Sequence, residues 1–554
     1  MKKFATKYGE FGSDGRSYII HTPRTPRPWI NVISNGDYGL TVSQAGGGYS
    51  WLTHAQLNRI TRWEQDLVRD DWGKFIYLRE DVGRDFRPDR RKSGQTPESV
   101  RLWSAAWKPV CLEPEAYRCE HGIGYSLIES KNFGIESALL LFVPNDEPME
   151  LWHLTLRNTT RRDRRISVIT YFEWGLGNSP DWHREFHKSF IETEFDPAAK
   201  ALYARKRLWE VPTERGHWNT DWPYVAFHSA SVRPASFDAD KESFLGMYGS
   251  PHHPASVSSG TLARRAGNWL DPIGSLQVRV TLKPHEEKSV WFTLGAASSR
   301  EEAARLAGKY RTGHDVKRAL AAVRERWDGL LGTVTVSTPD PAMDLMENSW
   351  LKYQAVSGRL WGRTAYYQTG GAFGFRDQLQ DSQIFLPIDP ALTLNQILLH
   401  ARHQFTDGSV YHWWHPMSEI GLQNKISDNL LWLPFVTKAF LDETADMTAL
   451  DARAAFVDSR EEATLYDHCV RAIDRTLERF SPRGLPLIGA GDWNDGLSAV
   501  GLDMKGESVW LGAFLHRILV DFSEIAARRG EPSRGEHYGQ RARRLREALN
   551  NCAW

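Results

Sequence analysis

The chain has 554 residues, and its 69 Lys plus Arg are balanced by 69 Asp plus Glu, giving a formal net charge of zero. That length allows two or more domains with sizeable cores, while the charge balance removes the electrostatic case for nucleic acid or an anionic membrane surface. No apolar run is long enough to span a membrane, the opening MKKFATKYGEFGSDG lacks the apolar core of a secretory signal, and four scattered cysteines make neither a disulfide framework nor a zinc cluster.

Up to about residue 298 the apolar pattern has period two. In SLQVRVTL (275–282) Leu276, Val278, Val280 and Leu282 share one face, KPHEE follows as a turn, and Val290, Phe292 and Leu294 continue the alternation. Trp152, Leu154 and Leu156 alternate with His153, Thr155 and Arg157 before the polar NTTRRDRR, and Ile166, Val168 and Thr170 come next. Such half-buried antiparallel strands predict a large β-sandwich over 1–298. At about 299 the period changes: SSREEAARLAGKY opens with serines followed by glutamates, and HDVKRALAAVRERWDGLL continues helical. A short strand at TVTVST (333–338) closes this helical linker, 299–339.

From about 340 the chain reads as helices. Leu465, Cys469, Ile473, Leu477 and Phe480 recur every three or four residues, and 507–528 is apolar nearly all round, as a buried helix is. Tyr538, Ala542, Leu545 and Leu549 stripe the last helix. A closed double ring of about twelve helices needs on the order of 300 residues. Residues 340–554 supply 215 and stop at ALNNCAW directly after an amphipathic helix, so the sequence reads as a fragment that carries only the first part of such a ring.

Three stretches could carry chemistry. GRTAYYQTGGAFGFRDQLQDS (362–382) places Arg376, Asp377 and Asp381 after a glycine-rich aromatic loop. A guanidinium fork beside carboxylate acceptors can grip the vicinal hydroxyls of one sugar, although an exposed Arg and a helix-capping Asp would give the same letters. VYHWWHP (410–416) sets His412 and His415 three apart without a third ligand nearby, so stacking or packing is the better reading than a metal site. GAGDWNDG (489–496) combines Asp492, Trp493, Asn494 and Asp495 between glycines. This is either a polar turn or a sugar site, with an indole to stack on and a carboxyl to donate a proton. A calcium loop would need glycine where Leu497 stands.

Taken together, these stretches resemble the inverting glycoside phosphorylases of the cellobiose phosphorylase family. The likeness also includes TPRPWINV, AGGGYSW and NRITRW near the start, and ISDNLLWLP, TLYDHC, GLPLIGAGDWNDG and GESVWLG later. It implies a β-sandwich, a helical linker and an (α/α)6 barrel, incomplete in this chain, and a homodimer. Asp495 is then the general acid, and Trp493, Arg376, Asp377 and Arg363 line the site of the transferred sugar. Asp492 and Asn494 shape the bend. Inorganic phosphate is the co-substrate and attacks the anomeric carbon, so no protein base, metal or organic cofactor is required. The expected substrate is a β-linked glucosyl disaccharide, and PWINVIS and SQAGGGYSW lean toward the cellobionic acid or β-1,2-glucan members. Gln423, Asn424 and Asn429 depart from the β-1,2-glucan pattern and tip the balance to cellobionate. The alternatives are an inverting hydrolase using Asp377 or Asp381 as base, and an inactive carbohydrate-binding fragment. The expected compartment is the cytoplasm, where thiols stay reduced.

Overall fold

The computed structural model describes residues 4–82, 100–179, 184–208, 212–213, 216–217 and 221–553. The final Trp of ALNNCAW lies outside them. The chain divides into two compact units, Met1–Gly371 and Ala372–Trp554.

The first unit is built on two antiparallel sheets. The eleven-stranded sheet carries Met149–Asn158 between Ile135–Phe142 and Glu287–Ala297. In the nine-stranded sheet Arg164–Gly177 pairs with Pro272–Leu282 and Phe75–Asp81. The alternation seen in the sequence is the reason for the layers: Trp152, Leu154, Phe292 and Leu294 from one sheet and Val168, Val278, Val280 and Leu282 from the other are buried in one core. KPHEE is the turn between Pro272–Leu282 and Glu287–Ala297.

Ser299 caps Arg300–Ala307 by accepting from the Glu302 N–H, and Thr312 with Asp315 forms a reciprocal capping box on Gly313–Gly332. Both helices belong to the first unit, as do residues 340–371. Trp327 of the second helix packs edge-on against Tyr353 and tilts against Trp361. Tyr353 Oη donates to Asn31 Oδ1 at 2.9 Å, and Ser357 Oγ donates to the Val32 carbonyl at 2.6 Å, tying this segment to a sandwich strand.

The strand expected at 333–338 is absent. The Val336 N–H donates to Asn348 Oδ1 at 2.7 Å, and Asn348 Nδ2 donates to the Val336 carbonyl at 2.8 Å. One side-chain amide takes the two bonds a neighbouring strand would have supplied.

Beneath the loop that carries Tyr366 lies a buried carboxyl, Asp70, which accepts from Ser43 Oγ and has left-handed backbone with φ 53°. Burial pushes its pKa up to about 7, against the Ser43 hydrogen bond and the charge of Lys108. A carboxyl with a folded pKa above its ordinary 3.8 holds its proton more tightly in the folded chain. Stability is therefore expected to fall by about 1.4 kcal/mol per pH unit as pH rises from 4 to 7. Urea unfolding of Asp70→Asn across that range should show this slope removed.

The second unit is helical, but not uniformly. Phe373–Gly374, Tyr411–His415 and Ile420–Gln423 form a small sheet, and Arg453–Phe456 pairs with Ser459–Thr464. HWWHP is thus largely strand, because the β-favouring aromatics alternate across its pleat: Trp414 is buried and Trp413 half-buried. Thr464 opens Leu465–Leu477 with a second capping box. Val509–Arg528 and Pro532–Cys552 pack as an antiparallel pair: Gly512 admits the Leu549 methyls, and Ser523 Oγ donates to the Gly535 carbonyl at 2.7 Å. The first of these helices is not buried all round. Val509, Trp510 and Val520 are 49%, 40% and 38% exposed, while Leu515, Leu519 and Phe522 fill the core. All four cysteines are free, and burial pushes the Cys469 thiol up to about 12.

Candidate active site

The GAGDWNDG stretch is held open by its glycines and pinned by its first carboxylate. Gly489 has φ 63°, and a Cβ there would lie 2.2 Å from the Lys425 carbonyl, so only glycine fits this approach. The neighbouring backbone is stitched to residues 425–427: the Ala490 N–H donates to the Lys425 carbonyl at 3.0 Å, and the Ser427 N–H to the Gly491 carbonyl at 2.9 Å.

Asp492 is buried and accepts twice, from the Asn494 N–H at 2.8 Å and from Ser508 Oγ at 2.6 Å. Ser508 in turn caps Val509–Arg528 by accepting from the Leu511 N–H. Asp492 therefore closes the bend and anchors it to a helix start. Asn494 caps the short helical turn Asp495–Gly501, accepting from the Gly496 N–H at 3.3 Å. With both lone-pair sets committed inward, Asp492 has little left to offer a ligand. Asp495 points the other way, and its side chain is 74% exposed.

Arg376 joins these parts. The sequence left it open to be a solvated surface Arg; instead its side chain is 7% exposed, on the helix Phe375–Ser382 whose cap position is Gly374. Its Nη1 donates to Asp428 Oδ1 at 3.0 Å, to Asp428 Oδ2 at 3.2 Å and to the Asp492 carbonyl at 2.7 Å, while Nη2 donates to Asp495 Oδ1. Trp432 Nε1 completes the Asp428 shell at 3.0 Å. Burial pushes the Asp428 carboxyl up, opposed by the Arg376 charge and the hydrogen bonds it accepts. Burial pulls Arg376 down, but Asp428 and Asp495 more than offset it, and the guanidinium ends above its ordinary value. The charge stays on the arginine.

Trp493 is half-exposed, with Nε1 donating to Gln380 Oε1 at 3.3 Å and the ring stacked on Trp510 at 6.2 Å between centroids. Trp510, itself 40% exposed, continues to the half-buried Phe514, so the exposed indole stands on a row of stacked aromatics rather than waving in solvent. Asp377 and Asp381 lie one turn apart on the Phe375–Ser382 helix and are both half-buried. Gly374 lies against the Asp377 carboxylate, where a Cβ would come within 2.2 Å of Oδ2. Arg363 belongs to the first unit, half-buried and left-handed at φ 47° after the segment Gln354–Gly362.

Three partners of this site were not read as such in the sequence, where Asn429 is noted only as a departure from the β-1,2-glucan pattern. Asp428 and Asn429 sit inside ISDNLLWLP, and His412 had been read as a packing residue of HWWHP. His412 Nδ1 is bonded to Asn429 Nδ2 at 3.1 Å. Burial and the Arg376 charge hold His412 below its ordinary value, with Asp495, the Asn429 bond and Asp377 acting in the other direction. A lone carboxyl in an apolar-looking run was the available signal for Asp428, since such a group is normally paired when buried. Among the described residues no group of three or more His, Cys, Asp and Glu is arranged to hold a metal ion, and no described helix is long and apolar enough to cross a membrane.

This arrangement presents a carboxyl and an indole at a surface with a buried guanidinium behind the carboxyl, groups that pyranose recognition and glycosidic proton transfer use. Comparison with known proteins agrees. The chain is 33% identical over 578 residues to the cyclic β-(1,2)-glucan synthase NdvB of Rhizobium meliloti (strain 1021), covering 100% of this chain and 19% of that protein. It is 27% identical over 583 residues to the N,N'-diacetylchitobiose phosphorylase of Vibrio furnissii, covering 99% of this chain and 68% of the relative. The chain thus spans about a fifth of the first relative and about two thirds of the second. A bacterial glucoamylase complexed with acarbose superposes with a TM-score of 0.55 at 10% identity, over 96% of this chain and 70% of that one, which shows the fold alone: a β domain with a helical domain of (α/α)6 class. Residues 16–88 and 95–313 match the family model of the glycosyl hydrolase 94 supersandwich domain, and 326–554 match that of the superfamily's catalytic domain. With both of the family's domains present in order, the chain belongs to the glycosyl hydrolase 94 family.

Proposed function

We propose that this chain carries the donor-sugar half of an inverting phosphorylase that cleaves a β-linked glucosyl disaccharide, cellobionate- or cellobiose-like. The observation that supports it is the single guanidinium of Arg376, bonded at once to buried Asp428, to the Asp492 carbonyl and to exposed Asp495. In this reading Asp495 gives its proton to the glycosidic oxygen as that oxygen leaves. Inorganic phosphate attacks the anomeric carbon from the opposite face, and the products are α-glucose 1-phosphate and the released acceptor. Trp493 stacks on the sugar ring, and Arg376 and Asp377 bind its hydroxyls. Phosphate is the co-substrate, and the reaction so drawn uses no metal or organic cofactor. The homodimer implied by the resemblance and the cytoplasmic compartment suggested by four free thiols belong to the same proposal.

The decisive measurement is glucose 1-phosphate release from cellobionate or cellobiose with and without phosphate, using the complete gene product. Phosphate-dependent release is expected. Sugar release that ignores phosphate would point instead to an inverting hydrolase with Asp377 or Asp381 as base. No cleavage of any β-glucoside, with sugar binding retained, would point to a carbohydrate-binding role. The 33% identity to the glucan synthase, against 27% to the diacetylchitobiose phosphorylase, favours a second substrate reading, a β-1,2-linked glucosyl donor. Running sophorose beside cellobionate separates the two.

A further inference from the structure

The first unit carries a groove of about 640 Å³, lined from the end of the strand Ser236–Asp240, the short helix Lys241–Leu245, the turn after it and residues 265–271. None of the candidate active-site groups lines it. Four of its lining side chains offer apolar surface to solvent. Tyr248 is fully exposed, Leu270 is 77% and Met247 66% exposed, and Trp269 is half-buried with its ring packed on the sandwich core. Single exposed apolar residues need no explanation, but four on one concave surface do. The backbone sharpens the point. The Gly249 N–H donates to the Gly246 carbonyl at 2.9 Å and closes a turn whose third residue, Tyr248, has φ 61°. That position favours glycine or asparagine, and a bulky side chain there is strained. A turn needed only to reverse the chain would carry glycine; this one holds an aromatic ring out in water.

Charge then selects the ligand. Both cations in the lining are committed to carboxylates, Arg265 to Asp240 at 2.6 Å and Lys241 to Glu173 at 2.7 Å. Asp271 is held by Lys188 at 2.9 Å. With its ion pairs closed among themselves, the groove neither attracts an anion nor calls for a cation. A second copy of the chain would need a broad patch of about 800 Å² per partner with an apolar centre, not a concave surface laced with ion pairs. Ligand sites, by contrast, are concave, of this volume, and combine apolar walls with a few polar groups. We infer that this groove is a non-catalytic binding site for a short β-linked glucose oligosaccharide. Tyr248 and Trp269 pack on the apolar faces of its rings, while Asn268, Glu242 and the Arg265–Asp240 pair meet the hydroxyl edges. The choice of glucose rests on the function proposed above; the neutral, partly apolar character of the ligand does not.

The test is hydrogen–deuterium exchange of the full chain, without phosphate, in the presence of cellohexaose and separately of a linear β-1,2-glucohexaose. Exchange over residues 240–250 and 265–271 is expected to slow with at least one of them. Tyr248→Ser combined with Leu270→Ser removes two exposed side chains, so thermal unfolding and glucose 1-phosphate release from a disaccharide should stay as in the wild type. The oligosaccharide concentration that half-protects these segments should rise about tenfold in the double variant, the loss expected for an anchoring aromatic. Unchanged exchange with both oligosaccharides, or equal protection in wild type and variant, would overturn the inference whatever the phosphate assay shows. A wild-type dimer that the double variant turns into a monomer, with neither oligosaccharide protecting the groove, would assign the surface to a second copy instead. Protection of the groove together with failed phosphorolysis would uphold this site and strike only the proposed reaction.

Discussion

Replacing Asp495 by Asn is expected to lower phosphorolysis about 10²–10⁴-fold, the usual contribution of a positioned general acid. The loss should appear in kcat far more than in KM, because the proton is needed only as the glycosidic bond breaks. The fold should hardly notice, since the side chain is 74% exposed and its bond to Arg376 is one of several that Arg376 makes. Unchanged thermal unfolding with lost glucose 1-phosphate production would separate catalysis from stability. A glucoside with a leaving group too acidic to need protonation, such as a nitrophenyl glucoside, should recover much of the rate. If Asp495→Asn keeps full turnover on the natural linkage, the acid lies elsewhere.

The second large effect is expected at Asp428, which never touches the sugar in this account. Its side chain is fully buried and Arg376 is nearly so, which makes the pair costly to break from one side. Asp428→Ala strands a buried guanidinium and should destabilise the second unit by about 3–5 kcal/mol, read as a lower urea midpoint. The same change leaves Arg376 held only by Asp495 and the Asp492 carbonyl and free to shift toward solvent, so the remaining folded protein should show a raised KM for the sugar donor. Asp428→Asn keeps the shape and one acceptor oxygen, and should restore part of the stability but less of the affinity. Equal stability in all three proteins would mean that Arg376 finds other acceptors, and the anchoring role would fail.

Much of the architecture was legible because periodicity is a local property. Alternating Trp152, Leu154 and Leu156 read as a strand and are one, and Ser299 and Thr312 read as helix starts and cap helices. The misreadings arose where distant partners decide. TVTVST has strand-forming residues, yet Asn348 satisfies its backbone and no neighbour strand pairs with it. HWWHP sits in a helical half, yet pairing with Phe373–Gly374 makes it a strand. Val509 and Trp510 were assigned to a helix buried on all sides, and one face of it meets water.

By itself, the sequence determined the two-part architecture, the family motifs and the chemical types available at the bend, since turn glycines, an indole and two carboxylates are written in eight consecutive residues. Only the tertiary structure decided how those carboxylates divide their work. Asp492 is turned inward by Ser508 and the Asn494 N–H, sixteen and two residues away, while Asp495 is left outward beside Arg376, 119 residues earlier. It also recruited Asp428, Asn429 and His412. The physical reason is that hydrogen bonds and charges act through space at about 3 Å, and the chain distance between the partners says nothing about which ones will meet.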